Sequence, residues 1–238
     1  MYALGIDLGT TFTAAAIWRN GHAETVSLGS RGAAIPSVVL LREDETFLTG
    51  EGANRRGLSE PHRVAREFKR RLGDTTPILL GGVPYSAEAL MARLLRSVVD
   101  EVTTREGGAP SRICVSHPAN WGPYKTDLLL QAVRLAGLDE PVSFTTEPEA
   151  AAIFYAQQQR IEPGAIVAVY DLGAARSTPP CCARRWSGSR SWAGRRASSA
   201  SVASTSTRPC SATSPGRWAA GWMSWMRTTR PRSPRWPA

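Results

Sequence analysis

Residues 4–18 constrain the fold of this chain more than any other stretch. Apolar Leu4, Ile6 and Leu8 run into Gly9-Thr10-Thr11, and from Phe12 to Trp18 the residues are again mostly apolar and small. The pattern predicts a strand, a tight turn and a second strand, with the polar groups gathered at the tip. Asp7 interrupts the apolar run, and a carboxylate buried there is costly unless it is paired or faces a metal. Gly9 allows the backbone to approach a ligand closely, while Thr10 and Thr11 offer hydroxyls and backbone N–H donors to an anion. These features describe a phosphate-binding hairpin with a carboxylate aimed at a divalent cation. An ordinary hairpin whose Asp caps its own turn fits the same residues.

Charge is unevenly distributed. The 238 residues carry a net +9, yet residues 175–238 contain 12 Arg and no Lys, Asp or Glu. Removing those 12 from the 29 basic residues leaves 17 against 20 acids, so residues 1–174 carry −3. A basic chain ordinarily points to a nucleic acid or a membrane surface, but here the basicity belongs to the tail alone. No apolar run reaches the roughly 18 residues of a membrane span, and the N-terminus lacks the layout of a secretory signal. Cys114, Cys181, Cys182 and Cys210 show no zinc or disulfide spacing. A reducing cytoplasm is the expected setting, with no membrane partner.

Further along, residues 23–27 and 37–41 read as short strands, separated by a break at Ala34-Ile35-Pro36-Ser37, because proline biases Ile35 towards an extended conformation. Residues 46–49 read as a strand ended by Gly50. Val64, Phe68 and Leu72 recur at i, i+4 and i+8, which predicts a helix over 64–72 with a largely basic solvent face. Ser86 is a candidate N-cap for a helix over 87–104, with Glu88 in its first turn and Leu90, Leu94, Leu95 and Val98 as its buried stripe. Residues 112–116 read as a buried strand, 124–136 as a helix closed by Gly137, 142–145 as a strand, 149–158 as a helix and 165–170 as a strand. The last strand runs into Asp171-Leu172-Gly173, which repeats the Asp7-Leu8-Gly9 pattern of the opening hairpin. Two strand ends that each deliver a carboxylate and a glycine turn suggest a pair of phosphate loops.

Four stretches together resemble the ATPase domain of the DnaK-type heat-shock protein 70 chaperones. These are Gly5-Ile6-Asp7-Leu8-Gly9-Thr10-Thr11, Phe68-Lys69-Arg70-Arg71-Leu72-Gly73, Glu147-Pro148-Glu149-Ala150-Ala151-Ala152 and Val169-Tyr170-Asp171-Leu172-Gly173. Residues 132–138 also resemble the helix that precedes the Glu-Pro motif in that family. The resemblance covers about residues 1–174 and implies an α/β fold, the actin-like (ribonuclease H-like) ATPase lobe. That lobe is three-layered, with core segments 1–35 and 110–174 and an inserted small subdomain over 36–109. It implies ATP and Mg²⁺ as cofactors, with unfolded protein clients, J-domain co-chaperones and nucleotide exchange factors as partners. Carried over by position, Asp7 would approach Mg²⁺ through water, and Gly9, Thr10, Thr11 and Gly173 would hold phosphate. Lys69 would contact the γ-phosphate, Glu147 would orient or deprotonate the attacking water, and Asp171 would order the metal's hydration shell. Phosphoryl transfer to water depends chiefly on such positioning and charge neutralisation. Taken alone, Lys69 also reads as a solvated helix charge, and Glu147 as a carboxylate favoured by a helix N-terminus.

The chain departs from the family pattern at Phe12, at His117-Pro118, and above all after Gly173. Glycines and Thr-Phe-Asp would continue the family's phosphate loop, but here Ala174-Ala175-Arg176-Ser177-Thr178 follow. From 175 onward Leu, Ile, Phe, Tyr, Asn, Gln and His are absent, and six of the eight Trp lie in this segment. A disordered tail is usually poor in Trp and rich in Lys, Glu or Gln. The composition instead fits a GC-rich gene read out of frame. If the last base of each codon is joined to the first two of the next, Arg176 to Cys182 permit Thr-Phe-Asp-Ala-Ala-Val-Leu. The same frame through Val202 to Arg208 permits Gly-Gly-Ile-Asp-Phe-Asp-Glu. Both resemble the family's continuation, so residues 175–238 are expected to be a frameshifted, disordered or spuriously helical tail in place of the second lobe. The chain is then expected to be a truncated and inactive ATPase-lobe fragment. Two other functions fit parts of the sequence: a nucleic-acid-binding protein using the Arg- and Trp-containing tail, and a sugar or metabolite kinase of the same superfold.

Overall fold

The computed structural model describes residues 1–30, 32–158, 166–170 and 181–185. The chain divides into two units, Met1–Glu147 and Pro148–Ala238. The first unit is built on β1 (Ala3–Leu8), β2 (Phe12–Arg19) and β3 (His22–Val26), an antiparallel meander that follows the alternation seen in the sequence. Along β1 the side chains of Leu4, Ile6 and Leu8 are buried, whereas Ala3, Gly5 and Asp7 turn to the other face. That period-two alternation fixes the register, because a slip of one residue would exchange the faces.

Short β4 (Ala34–Pro36) pairs with β2, placing Pro36 beside Phe12. The break expected at residues 34–37 is therefore itself a short strand. Proline is tolerated there because it ends an edge strand, where its missing N–H leaves no ladder bond unmade. Strands β5 (Val38–Leu41), β6 (Phe47–Thr49) and β7 (Val64–Arg66) form a separate antiparallel sheet in the order β6-β5-β7. Between β6 and β7, helix α1 (Gly50–Arg56) buries Gly50 and Ala53. Three poor helix formers, Gly50, Gly52 and Asn54, hid this helix from a propensity reading. A hairpin of β8 (Ile78–Leu80) and β9 (Val83–Tyr85) turns at Gly81-Gly82, both with positive φ.

The helix expected over residues 64–72 is corrected by the structure. A 3₁₀ turn (Pro61–Arg63), strand β7 and a second 3₁₀ turn (Phe68–Arg71) replace it. Glu67 stands between the last two at φ +52°, the left-handed region, which no residue of a continuous α-helix adopts. Pairing of β7 with β5 overrides the local periodicity: Val38, Val39 and Leu40 lie opposite Arg66, Ala65 and Val64. Phe68 and Leu72 are buried all the same, each at 1% exposure. The apolar stripe was real, and its period was misleading.

Helix α2 (Ala87–Glu106) is the long helix of the first unit. Ser86 caps it, its hydroxyl accepting from the Ala89 N–H at 3.2 Å, and Gly107 ends it at φ +71°. Leu90, Leu94, Leu95 and Val98 form its buried stripe and join Leu4, Ile6 and Leu8 in one core. Strand β10 (Arg112–His117) returns to the main sheet parallel to β1. Helix α3 (Pro123–Leu135) packs against α2, and β11 (Val142–Thr146) adds to the parallel edge beside β10. Among the described residues the main sheet runs β11-β10-β1-β2-β3, with β4 on β2. The fold of the first unit is mixed α/β.

Helix α4 (Glu147–Gln158) begins on the last residue of the first unit. In the second unit β12 (Ile166–Tyr170) pairs antiparallel with β13 (Cys181–Arg185). Residues 181–185 thus form a strand inside the segment expected to be disordered or helical. The rest of that segment, and Asp171 and Gly173 with it, lie outside the described residues. No helix among the described residues is long and apolar enough to cross a membrane.

If α2 anchors the core as described, Leu94→Ala costs about 2–5 kcal/mol in urea unfolding, whereas Ser86→Ala costs about 1 kcal/mol. A Leu94→Ala cost below that of Ser86→Ala would contradict this placement.

Candidate functional site

Three parallel strands end side by side. Asp7 lies opposite Ser116 in the β1–β10 register, Ser116 lies opposite Thr145, and His117 lies opposite Thr146 in the β10–β11 register. Glu147 follows immediately as the first residue of α4. The carboxyl ends of β1, β10 and β11 therefore present Asp7, Ser116, His117 and Glu147 together. In open α/β sheets that edge is where ligands bind.

At this edge the Ser116 hydroxyl donates to Asp7 Oδ1 at 2.7 Å. A charge-assisted bond of this kind orients the carboxylate and compensates part of its removal from water. Beyond Asp7, the turn to β2 needs glycine at position 9: a Cβ there would lie 2.2 Å from the Phe12 carbonyl oxygen. Thr10 and Thr11 occupy the tip, and Phe12 opens β2 with its side chain exposed.

Lys69 reaches the same edge from the second 3₁₀ turn. Its Nζ lies 2.9 Å from Glu147 Oε1, across 78 positions of sequence. The Lys69 side chain is only 5% exposed and that of Glu147 20% exposed. Lysine is almost never buried without a partner. Phe68 and Leu72 are anchored in the core on either side and set the direction of Lys69. The ammonium also stands over the Trp121 ring, 5.4 Å from its centroid, and Trp121 stacks on His117 at 6.0 Å with the planes 13° apart. His117 Nδ1 donates to the Pro118 carbonyl at 3.0 Å, which commits that nitrogen. Trp121 was absent from the sequence reading, because a single aromatic in a loop carries no periodic signal.

Among the described residues no group of three or more His, Cys, Asp or Glu is arranged to hold a metal. Asp7 offers a carboxylate, a hard oxygen donor, at the end of β1. Mg²⁺ keeps several waters and takes one or two carboxylates together with phosphate oxygens, so the donor set fits water-mediated binding. Burial pushes the Cys114 thiol above its ordinary pKa, opposed by its hydrogen bond with Ser143. Cys114 is thereby kept as a protonated thiol, the unreactive form.

The geometry accords with what sequence comparison finds. A family profile described as Hsp70 protein matches residues 3–78. The chain is 33% identical over 176 residues to the chaperone protein DnaK of Elusimicrobium minutum (strain Pei191). It is 30% identical over 176 residues to the chaperone protein DnaK of Endomicrobium trichonymphae. The chain belongs to the Hsp70 family. Each alignment takes in 71% of this chain and 28% of the relative, so the chain spans little more than a quarter of the length of these DnaK proteins. The profile match itself takes in the hairpin with Asp7, Gly9, Thr10 and Thr11, and Lys69.

Removing one partner of a pair this sheltered costs roughly 3 kcal/mol. Lys69→Met is therefore expected to destabilise the fold by about that amount. The double variant Lys69→Met/Glu147→Gln should recover part of the loss, since replacing both partners is far less costly. A double variant whose cost equals the sum of the two single costs in denaturant unfolding would rule out the coupling.

Proposed function

We propose that residues 1–174 are the first lobe of an actin-like, three-layer ATPase domain of a DnaK-type chaperone, with residues 36–109 as its inserted subdomain. The observation that carries this reading is the meeting of Lys69 with Glu147 at 2.9 Å, beside the strand end that bears Asp7. Three motifs far apart in sequence converge where a nucleotide's phosphates would need a carboxylate, a cation and a base.

In this reading the Gly9-Thr10-Thr11 turn binds phosphate through its backbone N–H groups and hydroxyls. Lys69 exchanges Glu147 for the γ-phosphate. Glu147, released from that contact, orients the attacking water and accepts its proton. Asp7 and, by family resemblance, Asp171 would hold Mg²⁺ through its waters, and the ion would neutralise phosphate charge. Each of these roles is positioning or charge stabilisation, which is what phosphoryl transfer requires. ATP turnover would be coupled to the folding of client proteins, with J-domain co-chaperones and nucleotide exchange factors as partners in the cytoplasm.

The chain as written is proposed to bind ATP poorly and to be an inactive fragment. After Asp171-Leu172-Gly173 the sequence Ala174-Ala175-Arg176 replaces the glycines expected in a second phosphate loop, and the shifted frame permits the Thr-Phe-Asp that would follow them. Losing one pre-organised donor of an anion site costs about 3 kcal/mol in the transition state, on the order of a hundredfold in rate. The Arg-rich segment attracts ATP only by charge, which salt screens.

Calorimetric titration with ATP·Mg²⁺ at moderate salt tests both parts. The chain as written should show no micromolar, adenine-selective binding. The gene with its frame restored after codon 173, and read on to its own stop, should show it. Tight selective binding by the unrestored chain would overturn the impairment, and none by the restored one would overturn the ATPase assignment.

A further inference from the structure

Ser37 lies between β4 and β5 at 3% exposure, and Thr13 of β2 is fully buried beside it. The Ser37 hydroxyl donates to the Gly9 carbonyl at 2.7 Å, and the Ser37 backbone N–H donates to the Thr11 carbonyl at 2.9 Å. A hydroxyl has one hydrogen to give. Because Ser37 gives it to Gly9, Thr13 Oγ1 is the donor in the 2.9 Å contact between the two hydroxyls. One residue thus holds two carbonyls of the turn between β1 and β2, and a second hydroxyl holds that residue.

We propose that Ser37 is the positioning residue of this turn, fixing the peptide planes that aim its N–H groups at an anion. The mechanism follows from peptide geometry. No peptide bond among the described residues is cis, and in a trans peptide the C=O of one residue and the N–H of the next point in opposite directions. Drawing the Gly9 and Thr11 carbonyls inward to Ser37 turns the Thr10 and Phe12 N–H groups outward, on the side away from Ser37. Glycine at position 9 permits the tight turn, and Ser37 selects one orientation within it. Because β5 begins at the next residue, the same serine ties the turn to the β6-β5-β7 sheet that leads to Lys69. The ligand class is a phosphate anion, and that part rests on the proposed reading of the turn.

The test uses the full chain and ¹⁵N relaxation. In wild type, Gly9 to Phe12 should show rigid-backbone order parameters of about 0.85. In Ser37→Ala they should fall below about 0.6 while α2 and β10 keep theirs. Ser37→Thr, which retains the hydroxyl, should keep the turn rigid, as should Thr13→Val, which leaves both Ser37 bonds in place. A turn that stays rigid in Ser37→Ala, or order lost equally in α2 and β10, would overturn the proposal. So would a turn loosened by Thr13→Val but not by Ser37→Ala.

Magnesium pyrophosphate, titrated against the Thr10, Thr11 and Phe12 amide shifts, gives a separate readout. Wild type should respond, and Ser37→Ala should bind about tenfold more weakly, the scale of one lost hydrogen bond. Equal affinity in the two chains would overturn the positioning role. No response in wild type, with the relaxation difference intact, would overturn the phosphate reading of the turn and leave its geometric control by Ser37 standing.

Discussion

Strand β1 is hydrogen-bonded along both edges, parallel to β10 on one side and antiparallel to β2 on the other, and the remaining structure depends on that double pairing. A strand held on both sides cannot slide, so Leu4, Ile6 and Leu8 stay under α2 and Asp7 stays on the opposite face. The change of direction at β1 matters as much as the pairing. Its antiparallel partner brings the Gly9-Thr10-Thr11 turn back over the strand end. Its parallel partner β10, and β11 beyond it, deliver Ser116 and Glu147 to that same end. A purely antiparallel sheet would have scattered these residues between its two edges.

Lys69 arrives by a different route. A cation at 5% exposure has surrendered most of its hydration, and the Glu147 carboxylate at 2.9 Å returns part of that loss. The Trp121 face adds a contribution that becomes larger when the cation is desolvated. Both partners lie far along the chain from Lys69, so the lysine is placed by the tertiary fold. Glu67 in the left-handed region ends β7 and lets the following 3₁₀ turn carry Phe68 and Leu72 into the core. A regular helix through residues 64–72 would have forfeited the pairing of β7 with β5.

What the sequence made legible was decided by how local the determining physics is. The hairpin, the capped helix α2 and the core strands β10 and β11 follow from alternation, an N-cap serine and apolar periodicity, and they stand within one or two residues of expectation. Helix α1 and the β8–β9 hairpin escaped because glycines conceal short elements that packing stabilises. The residues 64–72 misled because a spacing of four between buried side chains arises from a strand joined to a 3₁₀ turn as well as from a helix. At the site, the convergence of Lys69 and Glu147 was expected only through family resemblance, since no pattern of spacing foretells a contact across 78 positions. Trp121 and the two bonds made by Ser37 were legible in no way at all. They depend on where loops pass one another.

The two devices that hold this edge differ in kind, and the difference bears on how the site would work. Ser37 and Thr13 form a neutral, buried relay whose bonds leave no charge to be screened or displaced. Lys69 and Glu147 form a charged pair with one partner partly open to water. In the proposed role, a phosphate approaching the turn would find donors already oriented, because nothing in the hydroxyl relay must break to receive it. The same phosphate would compete directly for Lys69, since a multiply charged anion is a stronger partner for the ammonium than one carboxylate. On the proposed reading, the fixed element determines where the anion sits. The exchangeable element then converts its arrival into the release of Glu147 from Lys69. Pre-organisation at the turn and a replaceable ion pair beside it are complementary: if the turn also had to rearrange, part of the anion's binding energy would go to ordering it rather than to separating Lys69 from Glu147.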